Sequence, residues 1–206
     1  MRNGAFIDHY FGEMQQVIDA ISTVEIDRVI EALFDAWKRN ATIYLIGNGG
    51  SASTATHFAC DLSKVTICPG KPRLRAISLC DNIPLMSAWT NDSGFEDLFS
   101  EQLRNLMRSG DVLVAISVHG GSGQDRGGPW SQNLLRAVRV AREEYGATVI
   151  GFSGFDGGML RQIADICVHV PCSSTPQVES FHLAIEHLIT FCLRDKIAAD
   201  DAGTQR

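Results

Sequence analysis

Apolar residues recur with a helical period from the start of the chain. Phe6, Ile7, Tyr10, Phe11, Met14, Val17, Ile18 and Ile21 predict an amphipathic helix over residues 5–20. Ser22 or Thr23 is placed to cap a second helix, with Ile26, Val29, Ile30, Leu33, Phe34 and Trp37 on one face. Beyond it the pattern changes. Short, continuous apolar runs predict strands at Thr42–Ile46, Leu74–Leu79, Val112–Ser117, Thr148–Phe152 and Ile166–Val170. Helical segments fall between and after them, near 51–64, 83–90, 95–108, 131–145, 157–163 and 177–194. Strands without polar alternation, separated by helices, imply a parallel sheet buried on both faces. Right-handed crossovers then make the fold class α/β, a three-layer α/β/α sandwich with a five-stranded parallel sheet. The two leading helices (1–40) need a surface to cover, on the sheet or on a neighbouring chain. The α/β core takes 41–197, and 198–206 reads as a frayed tail on a single domain.

Composition narrows the class. Of the 206 residues, 45% are hydrophobic and 20% charged, which suits a folded core and excludes global disorder. The net charge of −6 speaks against a nucleic-acid surface. Lys64, Lys71, Arg73 and Arg75 form the one dense basic cluster and read as a solvated loop. No run is long enough for a membrane span, and Phe6 to Tyr10 is too short for a secretory signal core. Cysteines 60, 68, 80, 167, 172 and 192 form no C-x-x-C pair and read as reduced thiols of a cytoplasmic protein.

Candidate chemistry lies at strand ends. After the first strand comes Gly47-Asn48-Gly49-Gly50-Ser51, at the opening of a helix. Glycines allow close backbone approach, and the N–H groups of a helix start favour an anion, so a phosphate fits here. An ordinary strand-to-helix turn satisfies the same pattern. The third strand leads into Ser117-Val118-His119-Gly120-Gly121-Ser122, a second corner rich in glycine and serine within a long loop. A plain surface loop is the alternative.

His57 and Asp61 stand one helical turn apart, a spacing that suits a metal, acid–base work or a simple ion pair. Glu179, His182, Glu186 and His187 sit in an otherwise apolar last helix, where burying them without partners is costly. Glu179 and His187 are separated by about 80° and about 12 Å on a straight helix, awkward for one ion. His182 and Glu186 read as an intrahelical i,i+4 contact. Asn91-Asp92 before Gly94 is either a turn with a cap or a hydroxyl-binding carboxylate at a site rim.

These residues together resemble the sugar-isomerase (SIS) domain family, phosphoheptose isomerases in particular. The resemblance is carried by Gly47-Asn48-Gly49-Gly50-Ser51, His57-Phe58-Ala59, Asn91-Asp92, Gly110-Asp111-Val112 with Ile116-Ser117, Gly154 with Asp156-Gly157-Gly158, and the Glu179/His182/His187 helix. It implies a flavodoxin-like sandwich assembled as a homotetramer with sites near subunit interfaces. It implies sugar-phosphate contacts from Asn48, Gly49, Gly50, Ser51, Asp92, Ser117 and Ser122, with His119 in the phosphate wall. It implies zinc at His57, Asp61, Glu179 and His187. For an aldose–ketose isomerisation at that site, Asp61 is the expected base and His187 the expected acid. In the family pattern the Asp61 position is glutamate, the Glu179 position glutamine and the His119 position serine, and residues 124–131 look inserted. The same architecture also serves a non-enzymatic relative that assists a replication initiator.

Overall fold

The computed structural model describes residues 3–122 and 130–200. Two helices, α1 (Asn3–Ala20) and α2 (Thr23–Lys38), precede the first strand, β1 (Thr42–Gly47). There follow α3 (Gly50–Lys64), β2 (Arg75–Ser78), α4 (Ile83–Asp92), a 3₁₀ turn (Phe95–Asp97) and α5 (Ser100–Leu106). The chain continues through β3 (Val112–Ile116), α6 (Gln132–Tyr145), β4 (Thr148–Ser153), α7 (Gly158–Ile163), β5 (Ile166–His169) and α8 (Thr175–Ala199).

All strand pairings are parallel, in the order β2-β1-β3-β4-β5. Alternate residues of β1 enter opposite layers. Ile43 and Leu45 face a core built with α2, α3 and α8, while Tyr44 and Ile46 face one built with α5 and α6. Asp111 locks the strand starts together, its two carboxylate oxygens accepting from the Thr42 and Arg108 amides at 2.8 Å. The strand order reverses direction between β1 and β3, which opens a crevice at their carboxyl ends, where sheets of this kind bind ligands.

Several elements differ from the sequence pattern. The helix expected at 95–108 is divided into a 3₁₀ turn and a short α5, with Leu98 and Phe99 between them buried in the second core. The last helix runs past residue 194 to Ala199 and takes in the first two residues of the expected tail, whose residues 201–206 lie outside the described ones. Gln124 to Pro129, most of the apparent insertion, also lie outside them. α1 buries only Val17 against the core, leaving Phe6, Ile7, Phe11 and Ile18 at least half exposed. Among the described residues, no helix is long and apolar enough to cross a membrane.

Candidate active site

The crevice is built from the turns that follow β1 and β3. Gly47 lacks a Cβ because one there would overlap the Ser51 and Ala52 backbone as α3 turns upward. Gly49 takes a φ of 56°, and Ser51 is buried in the first turn of α3. Asn48 reaches across the crevice. Its amide nitrogen donates to Asn133 Oδ1 at 3.0 Å, and the Asn133 amide donates back to Asn48 Oδ1 at 2.8 Å.

The corner after β3 is held by backbone. Ser117 donates its amide to the Phe152 carbonyl at 3.0 Å and is buried. Gly120 packs directly on the Gly157–Gly158 backbone. The first amides of α7 donate to this corner, Leu160 to the Gly120 carbonyl at 2.8 Å and Met159 to the Ser122 carbonyl at 3.0 Å. Ser122 Oγ accepts from Gln132 at the start of α6, at 3.1 Å. Through Ser122 this corner is therefore tied down on two sides. His119 packs on Phe155, with ring centroids 4.1 Å apart and the ring planes tilted by 42°. Ser131, just before α6, holds a left-handed φ of 49°. Such backbone strain in a non-glycine residue concentrates at functional sites. Asp92 stands exposed at the end of α4, its carboxylate accepting from Asn91 at 2.7 Å.

A second feature sits where α3 packs against α8. The Nε2 atoms of His57 and His187 approach to 3.2 Å. Asp61 Oδ2 lies 3.7 Å from the first and 3.6 Å from the second. Glu186 Oε1 lies 3.9 Å from His57 Nε2 and 3.3 Å from His187 Nε2. One donor atom from each of these four residues falls within 4.8 Å of all the others, a grouping able to hold a metal ion. Both imidazoles are half-exposed, whereas the Glu186 side chain is 0% exposed and neither of its oxygens makes a hydrogen bond. Burial, and secondarily the charge of Asp61, raise the Glu186 carboxyl to about 8. A cation is the group that would let this carboxylate ionise where it stands.

The family resemblance put Glu179 in this cluster, and within the single chain the grouped donors are His57, Asp61, Glu186 and His187. Glu179 lies two helical turns before Glu186, and its carboxylate rests against Gly50, the first residue of α3. The geometry of a straight helix is the reason. The expected His182–Glu186 contact is also replaced. His182 is buried with Nε2 3.3 Å from the Ser153 carbonyl, while Glu186 turns toward α3. Burial lowers the His182 pKa to about 4, so the ring is neutral. Of the residues that shape the site, sequence reasoning passed over Asn133, which carries no signal of its own. It paired Glu186 with His182 along the helix and not with His57 on α3, although an acidic residue in an apolar helix was the available clue.

Gly50 and His57 share α3 and are seven residues apart, so about 10 Å separates the anion-binding turn from the cluster. One face thus carries a neutral cradle of hydroxyls and amides beside a set of imidazoles and carboxylates. That arrangement is an α/β domain with an anion-binding turn beside a cluster able to hold a metal ion. Residues 9–154 match the SIS domain model, and the chain belongs to the SIS domain family. It is 46% identical over 163 residues to the lincomycin biosynthesis protein LmbN of Streptomyces lincolnensis, covering 77% of this chain and 58% of that protein. The chain therefore spans little more than half the length of LmbN. It is 36% identical over 157 residues to a phosphoheptose isomerase of Rhodospirillum rubrum, covering 76% of this chain and 78% of the relative. The structure of phosphoheptose isomerase GmhA from Neisseria gonorrhoeae superposes with a TM-score of 0.81 at 28% identity, covering 93% of this chain and 98% of that one.

Proposed function

We propose that this protein is a phosphosugar aldose–ketose isomerase that converts sedoheptulose 7-phosphate into a glycero-manno-heptose 7-phosphate. The observation that carries the reading is the His57/Asp61/Glu186/His187 cluster set about 10 Å along α3 from the glycine turn. An open-chain sugar phosphate spans that separation. Its phosphate would lie among Gly49, Gly50, Ser51, Ser117 and Ser122, with His119 packed on Phe155 as one wall. Asn48, held by Asn133, and Asp92 would bind hydroxyl groups.

Aldose–ketose interconversion moves a proton between neighbouring carbons through an enediol and needs a base over the carbon and an acid at the oxygen. Asp61 is the base. Its side chain is 15% exposed, against 0% for Glu186, so it is the carboxylate that can reach a substrate carbon. His187 donates and recovers the proton at oxygen. The half-exposure of its ring leaves it open to substrate while Asp61 lies 3.6 Å away.

The donor set, with two neutral nitrogens and buried carboxylate oxygen, fits zinc. His57 and the buried carboxylate would anchor the ion, with Asp61 and His187 completing its shell in the free enzyme and released from it when they act on the substrate, and the bound ion would supply Lewis-acid polarisation of the substrate carbonyl.

The amphipathic α1 supports assembly as a homotetramer, because Phe6, Ile7, Phe11 and Ile18 stay exposed on the isolated chain. Leu188 and Phe191, each 48% exposed, extend an apolar strip from the cluster along α8 and support a site lying at a subunit interface. Six free thiols support a reduced, cytoplasmic setting. The identity with LmbN supports a product destined for a specialised metabolite.

The competing reading is a phosphosugar-binding protein or initiator-associated partner without turnover. The test is an NMR assay of sedoheptulose 7-phosphate, with shorter and longer ketose phosphates in parallel. Conversion of the seven-carbon ketose supports the proposal. Conversion of another sugar reassigns the substrate, and binding without conversion favours the competitor.

A further inference from the structure

Glu186 has no place in the ligand set that the family resemblance implies, yet its carboxylate is the most deeply buried member of the cluster. We propose that Glu186, and not Glu179, is the carboxylate that completes the metal site of this chain. The inference rests on the metal reading above and deepens it.

Three observations converge. The first is the state of the side chain. Glu186 is 0% exposed and both its oxygens lack hydrogen-bond partners, an arrangement that is strongly unfavourable for a carboxylate unless a cation lies beside it. The second is shape. Donor atoms held about 2.0–2.1 Å from a tetrahedral zinc ion lie roughly 3.3–3.4 Å from each other. Five of the donor pairs measure 3.2, 3.3, 3.6, 3.7 and 3.9 Å, and the sixth, between Asp61 and Glu186, stays within 4.8 Å. The two imidazole Nε2 atoms also face each other at 3.2 Å, which requires a proton or a metal between their lone pairs. The third is reach. Glu179 sits seven residues ahead of Glu186, about 10 Å back along α8, with its carboxylate against Gly50. The donors balance as well, because two carboxylates neutralise a dication while two imidazoles remain neutral.

The consequence is a division of labour along α8. Glu186 and His187 serve the carbonyl end of the site, and Glu179 stands at the anion-binding turn.

The test uses full-length protein stripped with a chelator and desalted. Zinc affinity is measured by competition with a chromogenic chelator, and cobalt substitution reports coordination through its visible absorption. The proposal expects Glu186→Gln to weaken zinc binding at least tenfold and to change the cobalt spectrum, while Glu179→Gln stays within twofold of wild type. Metal-free Glu186→Gln should melt at or above the wild-type temperature, because it removes a buried, unpartnered acid. Should it fail to fold, Glu186→Asp serves instead, with the carboxylate drawn back by one methylene and the same loss expected. Wild-type zinc affinity in the Glu186 variants overturns the assignment, as does a loss in Glu179→Gln equal to that in Glu186→Gln, which would mean that a neighbouring chain supplies Glu179. Absence of zinc binding by the wild type overturns it together with the metal reading. The assay contains no sugar, so a failure of the proposed isomerase activity leaves its outcome unchanged.

Discussion

Asn48 and Asn133 exchange two amide hydrogen bonds, 3.0 and 2.8 Å long, across the crevice between the turns after β1 and β3. Asn133 is fully buried, and its Oδ1 also accepts from the Leu134 amide at 3.0 Å. Asn133 fixes the orientation of Asn48 without itself needing to touch a substrate. Replacing Asn133 with leucine removes both bonds and leaves the Asn48 amide to turn freely. The expected result is a fall in kcat/KM of about tenfold and a stability loss of about 1–3 kcal/mol, read by steady-state kinetics and thermal melts. Unchanged kinetics with lowered stability would make the pair purely structural.

His187→Ala removes the proposed acid. Turnover should fall by about 10²–10⁴-fold, the range for a positioned acid–base group. Calorimetric titration should still detect phosphosugar binding, because the phosphate cradle lies about 10 Å away along α3. Retained turnover would remove His187 from the mechanism.

Gly120 takes a φ of 62°, and a Cβ there would overlap the Gly157 carbonyl. Backbone on both sides leaves nothing flexible to give way. Gly120→Ala should therefore destabilise the protein by about 3 kcal/mol or more and displace Ser117 and Ser122 together. A chemical denaturation series and the KM for sugar phosphate check the two effects.

His182 makes stability depend on pH. Its ring is buried and neutral, with a folded pKa of about 4 against an ordinary value of 6.5. The unfolded chain therefore binds more protons between these values, and stability falls as pH drops from about 6.5 toward about 4. The contribution is at most ~3 kcal/mol. His182→Phe should flatten this part of the curve. The Ser153 carbonyl keeps its bond from the Val170 amide at 2.8 Å, so the variant leaves no orphaned acceptor there. Measuring wild type minus variant across the window isolates the effect. A parallel pair of curves would show that His182 titrates normally.

The architecture was legible because local pattern and burial agree. Continuous apolar runs such as Thr42–Gly47 and Val112–Ile116 are buried along their whole length, as central strands of a covered parallel sheet must be. The spacing of His57 and Asp61 was likewise readable, because both share one face of one helix. What the pattern hid depends on contacts between distant segments. Glu186 acquires meaning only when α3 brings His57 within 3.9 Å, and Asn133 only when the crevice brings Asn48 opposite. The split at Phe95–Asp97 has the same origin, since Leu98 and Phe99 turn inward to fill the second core. The resemblance places Glu179 with His57, Asp61 and His187, whereas within one chain a straight helix sets it about 12 Å along the axis from His187.

The most direct measurement of the central claim is a proton NMR time course of sedoheptulose 7-phosphate in D₂O with the purified, zinc-supplied protein. Growth of an aldose signal, with solvent deuterium entering at C2 as expected for transfer through an enediol, is the predicted result. A ketose that binds but stays unchanged and unlabelled through prolonged incubation would contradict the account.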